Sequence, residues 1–208
     1  MDLQELKISV ESDLNKQIVN SAILLDHLCV LNENSRLVCS YVDPRYMPFY
    51  YYLGKYIKPK SMFHIGLELG FADACFLKSC RSIETAGGFQ EISRELYSMK
   101  LVEKNLRSFY RETFKPKLQL HLGKIEDLDS YLSGQKWDMI LVTEEQTYDK
   151  VMFYLDMAWK HLSLDGFLVM DSVVTSENAR TAWMNFCKIQ NREPVLFTTR
   201  YGTGLIQR

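Results

Sequence analysis

Apolar residues along this chain recur with two different periods, and the switch between them predicts the elements. Leu14, Ile18, Ile23, Leu24 and Leu28 fall near a 3.6-residue repeat, so residues 1–31 are expected to be helical. From Met62 onward, short apolar runs alternate with longer amphipathic stretches. The runs at residues 62–65, 81–87, 118–122, 137–143 and 166–171 predict five strands, of which WDMILVT (137–143) is the strongest. Helices are expected between and after them, over residues 71–78, 89–110, 125–132, 148–162 and 177–189. In the second of these, Ile92, Leu96, Met99, Val102 and Leu106 share one face. Two last strands, 195–200 and 204–207, are joined through Tyr201-Gly202-Thr203, a short glycine-containing link that predicts an antiparallel hairpin.

Strands that alternate with helices build a doubly wound, mostly parallel α/β sheet, here of seven strands with residues 137–143 at its centre. Residues 1–40 then read as an N-terminal helical extension and 41–208 as the α/β domain. Ligands of such sheets sit outside the carboxyl ends of the strands, at the point where strand order reverses. The segments that follow strands therefore carry the candidate chemistry: 66–70, 87–90, 123–126, 143–146 and 171–173. Just ahead of the first strand, residues 41–56 hold Tyr41, Tyr46, Phe49, Tyr50, Tyr51, Tyr52 and Tyr56, with Pro44 and Pro48 at the start of a short helix. Rings this dense bury a large area. They read as packing beneath the sheet or at a dimer contact, or as a wall over a ligand held at 66–70.

Composition narrows the class. Hydrophobic residues make up 47% and charged residues 25% of 208, which suits one globular core. Lys and Arg number 25 against 26 Asp and Glu, with the signs mixed along the chain, so no nucleic-acid partner is expected. Cysteines at 29, 39, 75, 80 and 187 form no CxxC pair, which argues against a disulfide framework and a zinc site. Charged residues interrupt the first apolar positions, and no apolar run approaches the roughly 20 residues of a membrane span. A cytoplasmic protein with no membrane partner is expected.

The stretch KSMFHIGLELGFADACFLKSC (60–80) is a strand, a turn bracketed by Gly66 and Gly70, and a helix. Glycine lets a ligand approach the backbone, and the helix start offers unpaired N–H groups. The full GxGxxG spacing is absent, which counts against a dinucleotide or nucleotide-sugar enzyme. His64, His121, Asp171 and the tyrosines of 41–52 are candidate general bases, although both histidines lie in strands, where a satisfied core histidine is the commoner outcome. Cys75, in the first helical turn, reads as a buried thiol ahead of a nucleophile. No Ser/His/Asp or Cys/His arrangement can be assigned from spacing, and the catalytic residues stay unassigned.

With these motifs in place, the chain resembles class I S-adenosylmethionine-dependent methyltransferases, in the small branch that includes catechol-type O-methyltransferases. The resemblance spans residues 41–208. It is carried by Trp137-Asp138, Glu144-Glu145, Tyr148, the turn from Leu162 to Gly166, and Asp171, with support from LHLGKIEDL (120–128) and the closing RYGTGLIQR. It implies a Rossmann-like fold and an enzyme that moves a methyl group from S-adenosylmethionine to a small-molecule oxygen or nitrogen.

The alternative reading is an inactive relative that binds another ligand or a protein partner. A homodimer is the other partner to consider. By resemblance the cofactor would meet Gly66, Glu68, Gly70, Gly87, Lys124, Ile125, Thr143 and Glu144. The family's acid-x-Gly-x-Gly-x-Gly loop here has His64 in place of the acid and Glu68 in place of the middle glycine. The acid that grips the ribose falls by count at Gly87, with Gln90 or Glu91 on the next turn as substitutes. The metal-dependent branch's acidic set is replaced by Thr143 and Asp171-Ser172, so no metal is expected.

Overall fold

The computed structural model describes residues 2–16, 46–68, 70–92, 99–108, 115–143, 147–199 and 201–208. After helix α1 (Leu3–Lys16), the elements are α2 (Tyr46–Ile57), β1 (Ser61–Ile65), α3 (Phe71–Ser79), β2 (Thr85–Glu91), α4 (Met99–Ser108) and β3 (Lys117–Gly123). A 3₁₀ turn (Ile125–Asp127) leads into α5 (Leu128–Leu132), β4 (Trp137–Val142), α6 (Tyr148–His161) and β5 (Leu162–Met170). The chain closes with α7 (Glu177–Ile189), β6 (Val195–Phe197) and β7 (Thr203–Gln207).

The seven strands form one sheet in the order β3-β2-β1-β4-β5-β7-β6. β1 to β5 are mutually parallel, while β7 runs antiparallel to both β5 and β6, as the closing hairpin predicts. β4 is the middle strand. Strand order reverses between β1 and β4, so the switch point lies where residues 66–70 and Thr143 leave the sheet.

Alternation along β4 shows why both faces must be covered. Met139 and Leu141 point into one core with α1, α2, α3 and α4, and Ile140 and Val142 into the other with α5, α6 and α7. Both strand surfaces are apolar because neither meets water. α1 is docked at its end by Asp13, whose carboxylate accepts from Lys55 Nζ and Tyr56 Oη of α2, both at 2.8 Å. Those bonds hold the Asp13 carboxyl below its ordinary range, and the same carboxylate raises the Lys55 ammonium and the Tyr56 phenol. Leu6 and Val10 bury the adjoining face. Within the 1–40 extension, 17–40 lie outside the described residues, as does Tyr41.

Most element boundaries fall where the pattern places them, and α7 matches at both ends. β2 does not. It was expected over 81–87 followed by a helix from 89, whereas it spans Thr85–Glu91. The two central glycines read as a strand end, yet they are packing positions. A Cβ on Gly87 would lie 2.3 Å from the Phe63 ring and 2.9 Å from Trp137, and one on Gly88 would lie 2.8 Å from Leu67. Large rings from β1 and β4 occupy the space that side chains on β2 would need.

Candidate functional site

The turn after β1 is folded onto β2 and β4 by its own backbone. Gly66 and Leu67 N–H both bond to the Phe89 carbonyl, at 3.0 and 3.2 Å, and Glu68 N–H bonds to Gln90 Oε1 at 2.8 Å. Thr143 N–H reaches back to Ile65 O at 3.0 Å. Gly66 and Gly70 have φ of +94° and +74°, a region that glycine enters without a Cβ penalty. Glu68 sits in the same region at +44° with its side chain exposed. That conformation explains why a glycine would be the easier residue there. A Cβ on Gly70 would press Leu106 and Val102 of α4 at 3.2 and 3.3 Å, so α4 closes the turn from the far side.

Beneath the turn lies a buried polar chain. His64, near the end of β1, places Nδ1 2.6 Å from Asp73 Oδ2 in the first turn of α3. Its Nε2 is 3.0 Å from Thr143 Oγ1. That hydroxyl also donates to Gly66 O at 2.8 Å. His64 and Asp73 are 3% and 1% exposed, while Thr143 is half-buried at the edge. The histidine that stands in the acid's place therefore has its acid nine residues later, supplied from the helix.

A second cluster lies at the end of β2. Glu91 is buried and accepts from Lys150 Nζ at 3.0 Å on each oxygen and from Tyr154 Oη at 3.3 Å, both donors on α6. Beyond β3, Lys124 and Ile125 start the 3₁₀ turn on the same edge, and Lys124 N–H bonds to Asp127 Oδ2 at 3.3 Å. After β5, Asp171 accepts from Tyr50 Oη at 3.0 Å and Thr203 Oγ1 at 3.1 Å. Tyr50 thus reaches the carboxyl edge. The other buried rings of α2 pack: Phe49 on Phe197 at 5.0 Å, with Tyr50 itself 5.8 Å from Phe76 of α3.

Of the residues singled out from sequence, Gly66, Glu68, Gly70, Lys124, Ile125 and Thr143 stand together along the carboxyl edge of β1, β3 and β4. Gly87 does not. It lies in the middle of β2, paired with Phe63 and Gln119, and the carboxylate at that strand's end is Glu91. Glu144 lies outside the described residues.

The other described histidines and two of the cysteines are engaged in packing or hydrogen bonds. His121 stacks on Tyr131 at 4.3 Å, and burial lowers its basicity. His161 bonds to Asp129 at 2.8 Å. Cys75 is fully buried with its thiol pushed up by desolvation, and burial raises Cys187 to about 12. Among the described residues no group of three His, Cys, Asp or Glu is placed to hold a metal ion, and no helix is long and apolar enough to cross a membrane.

No protein-family model matches this chain, and no curated protein matches it. Solved structures do. A Bacillus cereus O-methyltransferase in complex with SAH is 13% identical with TM-score 0.66, covering 100% of both chains. The O-methyltransferase TomG of Streptomyces achromogenes, in complex with SAM, is 14% identical with TM-score 0.67, covering 100% of this chain and 99% of its own. An SAH-bound Podospora anserina methyltransferase is 14% identical with TM-score 0.63, covering 99% and 96%. The chain has the Rossmann-like methyltransferase fold.

Proposed function

We propose that this protein transfers a methyl group from S-adenosylmethionine to an oxygen or nitrogen of a small molecule. The observation that carries the reading is the full-length match in fold to methyltransferases solved with SAM or SAH, with a glycine-bordered turn at the switch point. The residues at the edge suit that cofactor. The turn at 66–70 would run beside its methionine portion, and Lys124 and Ile125 beside the adenine. Glu91, rather than Gly87, offers the carboxylate at the end of β2 for a ribose hydroxyl, beside its bonds from Lys150 and Tyr154. Thr143 would face the transferred methyl.

When bound, the cofactor supplies an electrophilic methyl on a sulfonium. The chain's part is orientation. A turn whose Gly66, Leu67 and Glu68 N–H groups all bond to β2 holds its geometry before ligand arrives, which lowers the entropic barrier to an in-line approach. The reading keeps a small-molecule acceptor and a cytoplasmic location, with a homodimer to be checked by sedimentation. Calorimetric titration of S-adenosylmethionine and S-adenosylhomocysteine into the whole protein tests it, with saturable binding of both expected. Failure of either ligand to bind, to wild type and to Glu68→Gly alike, would overturn it and leave a methyltransferase-fold protein that binds another ligand or a protein partner.

A further inference from the structure

Orientation alone leaves one product of an O-methylation unplaced, the proton of the acceptor hydroxyl. We propose that Asp73, His64 and Thr143 form a relay that opens at Thr143 on the edge of the sheet and takes up that proton; the proposal rests on the methyl-transfer reading above. Thr143 would touch the acceptor, while His64 and Asp73 are positioning residues that act through it.

The geometry specifies the direction. Thr143 has one hydroxyl proton and two close acceptors, His64 Nε2 at 3.0 Å and Gly66 O at 2.8 Å, with Ile65 O farther off at 3.4 Å. These are the two ends of a switch. Before reaction, the hydroxyl donates to Nε2 of a neutral imidazole whose Nδ1–H is held by Asp73 at 2.6 Å. Afterwards Nε2 carries the proton and donates to Oγ1, and the hydroxyl donates to Gly66 O. The two states differ by one proton that enters through Oγ1.

In the step itself, the acceptor O–H bond would break and its electron pair would form the new O–C bond, while the methyl's bond to sulfur would break with its pair left on sulfur. The acceptor's proton passes to Oγ1 as the threonine proton passes to Nε2. The positive charge lost at the sulfonium is gained by the imidazole, opposite the Asp73 carboxylate. With His64 and Asp73 3% and 1% exposed, the half-buried Thr143 is the member of the chain within reach of a substrate. A hydroxyl-imidazole-carboxylate order, with the imidazole held by its other nitrogen, is an arrangement in which the imidazole can take the hydroxyl's proton.

The chain has four histidines, so ¹⁵N-histidine NMR of the ligand-free whole protein can resolve His64, identified by its loss in His64→Gln. The expected result is the Nδ1–H tautomer, with a strongly downfield proton that disappears in Asp73→Asn. Thr143→Val should move the Nε2 resonance, and Thr143→Ser should restore it. An Nε2–H tautomer in the wild type, with Nδ1 as acceptor, would overturn the relay, because Oγ1 could not then pass a proton inward. With S-adenosylmethionine and catechol as the probe acceptor, Thr143→Val should lower kcat about 100-fold, well beyond any loss of cofactor affinity, and Thr143→Ser should keep turnover. Parallel loss of affinity and turnover would overturn it in favour of a merely structural hydroxyl. A protein that binds no S-adenosylmethionine yet shows the Nδ1–H tautomer refutes the cofactor reading separately.

Discussion

Glu68→Gly is the substitution whose outcome follows most directly from the backbone. Glu68 holds φ +44°, where Cβ crowds the following carbonyl at a cost of about 1–2 kcal/mol. Glycine escapes that cost but loses about 0.4–1 kcal/mol through greater freedom of the unfolded chain. The bond from residue 68 N–H to Gln90 Oε1 survives, since it uses the main chain. The side chain is exposed, so little buried area is lost. The net expectation is a gain of roughly 0.5–1 kcal/mol, or about 1–4 °C in Tm for a chain of this size. Because the carboxylate is exposed, its pairing with a bound ammonium would be worth about 0–1 kcal/mol, so S-adenosylmethionine affinity should change by about fivefold or less. Circular dichroism melts, urea midpoints and calorimetric titration measure these. A Tm that falls by more than about 2 °C, or an affinity change beyond about tenfold, would refute the reasoning and make the Glu68 side chain itself the support of the turn or of the ligand.

Three further outcomes are expected. Gly87→Ala places a Cβ 2.3 Å from the Phe63 ring between two packed faces and should cost about 1–3 kcal/mol in urea unfolding; an unchanged midpoint would show that the ring yields freely. Lys150→Met strips both Lys150 contacts from the buried Glu91 carboxylate and should cost about 1.5–3 kcal/mol, part of it recovered by adding Glu91→Gln; equal stability of single and double variants would count against a charge effect. Docking of α1 should depend on pH at both extremes. The folded Asp13 pKa lies below its ordinary 3.8, so its contribution is complete above that value and fades as pH falls through the folded one. The folded Lys55 pKa lies above 10.5, so its contribution is complete below that and fades as pH rises through the folded value. Hydrogen exchange of α1 amides should follow both limbs, and Asp13→Asn should abolish the acid limb; an acid limb that persists in that variant would place its origin elsewhere.

The glycine turn, the central strand and the closing hairpin were legible because each is local: one apolar run, one pair of glycines, one short link. Glu91 was legible only as a substitute on the next turn, because Gly87 and Gly88 look like a strand end until Phe63, Trp137 and Leu67 are seen to fill their space. The His64 network was invisible as a network. Asp73 reads as a residue favouring the helix dipole and Thr143 as a strand terminus, and no spacing rule connects them across three separate elements.

By itself the sequence determined the element order and the doubly wound class, because periodicity reports which faces must leave water. It also marked the sharp turns at Gly66, Gly70 and Gly202, because glycine enters positive φ without a Cβ penalty. Only the tertiary structure decided which polar side chains meet. Parallel pairing of β1 with β4 brings Thr143 to His64, and α6 brings Lys150 to Glu91 at the end of β2. Such pairings depend on register between segments far apart in the chain, and in the chain's own order those residues carry no mark of one another.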